Sequence, residues 1–95
     1  MRILIVGSSF RGYNDIFKKG FEENGHCVKV FLAIGLNELE QRAKRTSVGL
    51  DKLIDNQSND ILKLFNEFIP DLVFVRLGNY ISDNAVIEMS KRSIT

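Results

Sequence analysis

Cysteine, histidine and proline each occur once in this 95-residue chain, and tryptophan does not occur at all. A single thiol, Cys27, excludes an internal disulfide framework and any zinc site built on several cysteines. It suits a reducing compartment better than a secreted domain. The one histidine, His26, stands directly before Cys27, and one His with one Cys does not make a metal site. An excess of one charge is also lacking. Thirteen Lys and Arg against twelve Asp and Glu leave a net charge of +1, too balanced for a broad pull toward nucleic acid or an anionic membrane. Long apolar runs are missing as well. After Met1 and Arg2 come four apolar residues, Ile3 to Val6, and then Gly7, which is too short for a signal-peptide core or a membrane span. These absences predict a cytoplasmic location, no metal, and neither nucleic acid nor a membrane span among its interactions.

What is present is ordinary for a globular domain: 44% hydrophobic and 26% charged residues. Surface scaling for this mass gives roughly 5,500 Å² folded against about 15,700 Å² unfolded, so the chain supports one domain with a marginal core. Residues 2–6 form a nearly continuous apolar, β-branched run stopped by Gly7, the mark of a strand buried on both faces. A helical pattern follows the loop Gly7–Gly12. Ile16, Phe17 and Phe21 fall at three- and four-residue spacing, Asn14 is a candidate cap, and Gly25 a candidate stop. Gly20 inside this helix predicts close packing on a sheet. Cys27–Ala33 reads as a second strand and Asp71–Leu77 as a third, with Pro70 ending the helix before it. Ser82 or Asp83 caps a last helix carrying Ala85, Val86 and Met89.

About 37 residues separate the second and third strands, more than a crossover helix needs, so this segment holds extra structure. Leu50, Leu53, Ile54, Ile61, Leu64, Phe65 and Phe68 form one helical stripe, and Gly49 breaks it from the charged stretch before it. The order β-α-β-α-β-α, with a doubled middle helix, predicts a Rossmann-like, three-layer α/β fold with a partial parallel sheet of about three strands. The strand order is 3-2-1 or 2-1-3, and the last helix is placed to feed a fourth strand. So small a sheet leaves open edges. Self-association is expected through an edge or through the Leu50–Phe68 stripe.

In open α/β sheets, ligands bind beyond the carboxyl ends of the strands. That edge collects Gly7, Ser8, Ser9, Phe10, Arg11 and Gly12 from the first loop, and Arg76, Gly78, Asn79 and Tyr80 from the third. A glycine- and hydroxyl-containing loop before a helix suits an anion or a sugar hydroxyl. It equally suits a plain turn. The loop is neither G-x-G-x-x-G nor a P-loop, and residues 27–37 offer no carboxylate to a ribose. No NAD- or ATP-type cofactor is therefore expected. Arg76 closes an apolar run, so it meets either a ligand or a structural partner. Tyr80 either touches a sugar or covers the sheet end. Asn56-Gln57-Ser58 matches a glycosylation sequon, but it falls within a helical pattern and is discounted. Nucleophile, base and orienter co-occur nowhere, so no catalytic residue is assigned.

The segments Met1–Tyr13 (MRILIVGSSFRGY), Glu23–Val30 (ENGHCVKV), Phe68–Val75 (FIPDLVFV) and Arg76–Ser82 (RLGNYIS) resemble the start of GT-B glycosyltransferases, most closely the CgeB-like, spore-maturation group. The resemblance spans the three strands. It implies the front half of a GT-B N-terminal domain, the part that holds a sugar or glycosylated acceptor, with Gly7–Tyr13 and Arg76–Tyr80 lining the acceptor side. Where the family pattern carries Lys, this chain has Arg76. The nucleotide-sugar donor belongs to a second domain in that family, and no E-x(7)-E motif occurs within the 95 residues. The chain alone is thus not expected to transfer sugar. The competing reading is a small flavodoxin- or receiver-like binding module that self-associates. It lacks the acidic cluster of a receiver, and its first loop is only a loose match to a flavin-phosphate loop.

Overall fold

Five consecutive residues of the first apolar run, Ile3–Gly7, are buried, as a strand is when both faces of its sheet are covered. The computed structural model describes residues 1–8, 13–76 and 80–95. Its elements are β1 (Arg2–Ser8), α1 (Tyr13–Glu23), β2 (Cys27–Ala33), α2 (Leu36–Thr46), α3 (Leu50–Phe68), β3 (Leu72–Val75) and α4 (Asp83–Ser90). The strands form one parallel sheet in the order β2-β1-β3. Ile5 lies opposite Val30 on one side and Phe74 on the other. The predicted α/β class and three-strand parallel sheet are thus observed. β3 is shorter than expected. It ends at Val75, so Arg76 follows the strand instead of closing it.

The alternation of β1 sorts its side chains onto two faces. Leu4 and Val6 join Ala33 and Val73 against Leu39, Ile61 and Phe65 of the α2–α3 pair and Ala85 and Met89 of α4. Ile3 and Ile5 face the other way. There, Phe17 and Phe21 of α1 set their rings 5.1 and 6.2 Å from Phe74. The result is helix, sheet, helix: three layers of a small Rossmann-like unit. The Leu50–Phe68 stripe is used within the molecule, with Ile61 and Phe65 buried. At the edge of β2, Cys27, Lys29 and Leu32 are exposed. At the other edge, Ile94 pairs in parallel with Leu72, its N–H donating to Asp71 O and its carbonyl accepting from Val73 N–H. The segment after α4 thus meets the edge of β3 in a single parallel bridge.

The extra structure between β2 and β3 is a helical hairpin. Ser47 turns it with a left-handed backbone (φ 60°), and Gly49 is the N-cap of α3. α1 closes as the sequence predicts. Gly25 takes φ 85°, and the amides of Gly25 and His26 bond back to Glu22 O and Phe21 O, a Schellman arrangement. Two features of α1 differ from expectation. Ile16 is exposed, because Asn14, Phe17 and Phe21 define the inward face. Gly20 has open space where a Cβ would stand, so it is not a packing glycine. Gly20→Ala should then stabilise the protein by roughly 0.5–1 kcal/mol, through helix propensity and a less flexible unfolded chain. A thermal melt should show a gain of a few degrees; an unchanged or lower midpoint would mean that the helix needs the glycine.

Candidate functional site at the carboxyl edge of the sheet

β1 has one neighbour on each side, and the connections to them run over opposite faces. The link to β2 carries α1, and the link from β2 to β3 carries α2 and α3 on the other face. The winding therefore reverses between β1 and β3. In open α/β sheets that reversal opens a crevice at the carboxyl ends of the two strands. Gly7 and Ser8 lie at the β1 end, Arg76 directly after β3, and Tyr80 shortly beyond. These four expected site residues meet there. The other six, Ser9, Phe10, Arg11, Gly12, Gly78 and Asn79, lie outside the described residues.

The residue that joins the two strand ends is Asn14, a candidate cap by its place in the sequence. Asn14 is not a cap. It sits inside the first turn of α1, almost fully buried, and its side chain reaches back to the strands. Its Nδ2 donates to Gly7 O and to Ser8 O, each at 3.1 Å, and its Oδ1 accepts from Arg76 Nη1 at 2.8 Å. One neutral amide thus fixes the start of the first loop and orients the guanidinium, whose carbon also lies 5.3 Å from the Phe17 ring centroid. Gly7 permits this approach. A Cβ there would stand 2.4 Å from Asn14 Oδ1.

Tyr80 covers the sheet end. It is buried, and its hydroxyl is shared between the carbonyls of Val6 and Arg76. Desolvation pushes its pKa up to about 12, a shift that the positive charge of Arg76 partly opposes. At pH 7 the phenol is therefore neutral and serves as a donor to backbone. Val6 O also takes the Arg76 amide at 2.8 Å, which locks the first residue after β3 against β1.

Two further residues shape the edge. Gln57 and Ser58, from the discounted sequon, point inward from α3 and are buried. Gln57 bonds both peptide groups of Ile34, and the carbonyl of Tyr80; Ser58 Oγ accepts from the Ser82 amide. Both positions lie on the apolar stripe of α3, between Ile54 and Ile61. A Gln-Ser pair interrupting such a stripe is a signal that sequence reading can use: polar groups on a buried face need partners. Because Gln57 marks the level of the sheet edge, the residues of α3 before it rise roughly 10 Å above that edge at 1.5 Å per residue. The hairpin of α2 and α3 thereby stands beside the carboxyl edge on one face of the sheet.

Among the described residues, every buried side-chain nitrogen and oxygen has a hydrogen-bond partner. Nor do three His, Cys, Asp or Glu side chains gather among them to hold an ion. His26 and Cys27 lie at the opposite edge, where Met1 N and His26 Nδ1 are 3.3 Å apart. No helix among the described residues is long and apolar enough to cross a membrane. Compared with known proteins, the chain matches no family model, no curated protein and no solved structure.

Proposed function

We propose that residues 1–95 form the acceptor-side portion of a nucleotide-sugar-dependent, GT-B-type glycosyltransferase similar to the CgeB-like group, cytoplasmic and without a cofactor of its own. The crevice between β1 and β3 takes a sugar or glycosylated acceptor. Transfer requires a donor-binding domain in addition to these residues. The observation that supports this reading is the strand order β2-β1-β3, which brings the two segments of the family resemblance, at Gly7–Ser8 and at Arg76, to one crevice. Among the described residues this edge carries the Arg76 guanidinium and no acid–base pair, which suits holding a sugar rather than cleaving one. The reading includes self-association through the exposed edge of β2.

The test is a titration of the 15N-labelled chain with N-acetylglucosamine, uridine diphosphate glucose, inorganic phosphate and flavin mononucleotide. Saturable shifts at the amides of Gly7, Ser8 and Arg76 on adding the sugar, with none from the flavin, are the expected result. Flavin binding without sugar binding would replace the reading with the flavodoxin-like module, whose phosphate site the same strand order would place at this crevice. No response to any of the four would remove the crevice as a site. Sedimentation of the same samples should show association between micromolar and millimolar concentration. A monomer throughout would remove the edge contact.

A further inference from the structure

Two segments converge at one level of α3, and two adjacent side chains of that helix bond to them. The first segment is the exit of β2 at Ile34, which leads into α2. The second is Tyr80–Ser82, which follows β3 and ends in the N-cap of α4. Gln57 Oε1 accepts from Ile34 N–H at 2.7 Å, while its two Nε2 protons serve Ile34 O at 3.1 Å and Tyr80 O at 3.2 Å. Three of the four hydrogen bonds that a carboxamide can make are thus committed to main chain. Ser58 Oγ accepts from Ser82 N–H at 2.9 Å and faces back to Ile54 O at 2.7 Å. Both side chains are buried, so water is a poor substitute for either.

We infer that Gln57 is a positioning residue: it makes the β2 exit and the β3 exit move as one body with α3, and so sets the width of the crevice. The geometry argues for this over general packing. Gln57 pairs with Ile34 as a neighbouring strand would, donating to and accepting from the same residue. Its remaining proton goes to a segment from a different strand. No described backbone–backbone hydrogen bond joins Ile34 to Tyr80; the amide is the shared partner. That the crevice binds a ligand rests on the reading above; the mechanical coupling does not.

Native-state hydrogen exchange separates the two. Gln57→Met keeps the length of the side chain and removes its hydrogen bonds. The Ile34 amide should then exchange at least tenfold faster than in the native protein, beyond any factor shared by the β1 amides of Leu4, Ile5 and Val6. A purely structural role would raise all of these together through global unfolding. Ser58→Ala should accelerate Ser82 and leave Ile34 unchanged. Equal acceleration at Ile34 and in β1 would overturn the inference, as would an Ile34 amide that is indifferent to Gln57→Met. Should that variant fail to fold, the native protein still decides. Both Nε2 protons of Gln57 should be protected from solvent exchange, and rapid exchange would overturn the clamp. Titration of Gln57→Met with N-acetylglucosamine should then show at least fivefold weaker binding than the native chain, and unchanged binding would remove the positioning role. If the native chain binds no sugar, the acceptor reading fails, while the exchange data still decide the coupling.

Discussion

Gly7→Ala should destabilise the protein by about 3 kcal/mol, the sum of overpacking and of hydrogen bonds left unmade. The added methyl would stand 2.4 Å from Asn14 Oδ1, 3.3 Å from Asn14 Cγ and 3.4 Å from Arg76 Cδ. A flexible, exposed side chain would step aside at little cost. Asn14 is neither. It is 2% exposed, and moving it breaks its bonds to Gly7 O and Ser8 O together with the one from Arg76. The backbone at Gly7 is ordinary strand, so the demand for glycine comes from this approach and not from φ. For a domain of this size the loss corresponds to a fall of roughly 12–24 °C in the melting midpoint. A double-mutant cycle tests the cause. Asn14→Ala alone should be destabilising, because two carbonyls lose their donor. In Gly7→Ala with Asn14→Ala, the methyl occupies the space that the amide leaves. The double variant should therefore be more stable than the sum of the singles by over 1 kcal/mol, a coupling typical of residues in contact. Strict additivity in urea denaturation would reject the steric account.

The same cluster shows why parts of this molecule are legible in its sequence and parts are not. β1 and β3 announce themselves because a buried parallel strand excludes charge from its interior, whereas β2, at the sheet edge, carries Lys29 and is read from its alternation. Ile3–Val6 and Leu72–Val75 are uninterrupted apolar runs between turn residues. Gly25 is legible because a helix stop with positive φ favours that residue. Asn14 is not, since an asparagine near a helix start reads as a cap whether its side chain turns to its own helix or to a strand seven residues back. The difference lies in tertiary distance, which no local pattern encodes. Gly20 misleads for the same reason. A glycine on a helix signals close approach only when another element arrives there, and here none does. Ile16 shows the limit of periodicity: 16, 17 and 21 fit one stripe, but the stripe that faces the sheet is 14, 17 and 21. The polar member of an inward face is the one that spacing rules discard. The carboxyl edge is legible as the place where these loops meet because that rule follows from topology. Its internal wiring by Asn14, Gln57 and Ser58 follows from hydrogen-bond satisfaction among distant segments.

Above pH 10 the stability of the protein should fall because of Tyr80, and Tyr80→Phe should remove that part of the fall. The phenol has an ordinary pKa near 10 when the chain is unfolded. In the folded protein, desolvation raises it to about 12, against the opposing charge of Arg76. The folded state therefore holds the proton more tightly than the unfolded one. Its contribution is fully present below the unfolded pKa and is lost as pH rises from about 10 to about 12. Two units amount to at most roughly 2.7 kcal/mol at the end of that window, for a side chain that is almost fully buried. Tyr80→Phe keeps the ring and deletes the hydroxyl that serves the carbonyls of Val6 and Arg76. Val6 O still accepts the Arg76 amide, so the variant should lose only about 1 kcal/mol at neutral pH. Relative to the native chain it should then gain with pH, and the two stability curves should cross at about pH 11. Denaturant unfolding of the pair at several pH values from 8 to about 11.5 measures the difference. Curves that stay parallel would show that the hydroxyl is not sealed under the sheet edge, and that the end of β1 is open to solvent where this fold closes it.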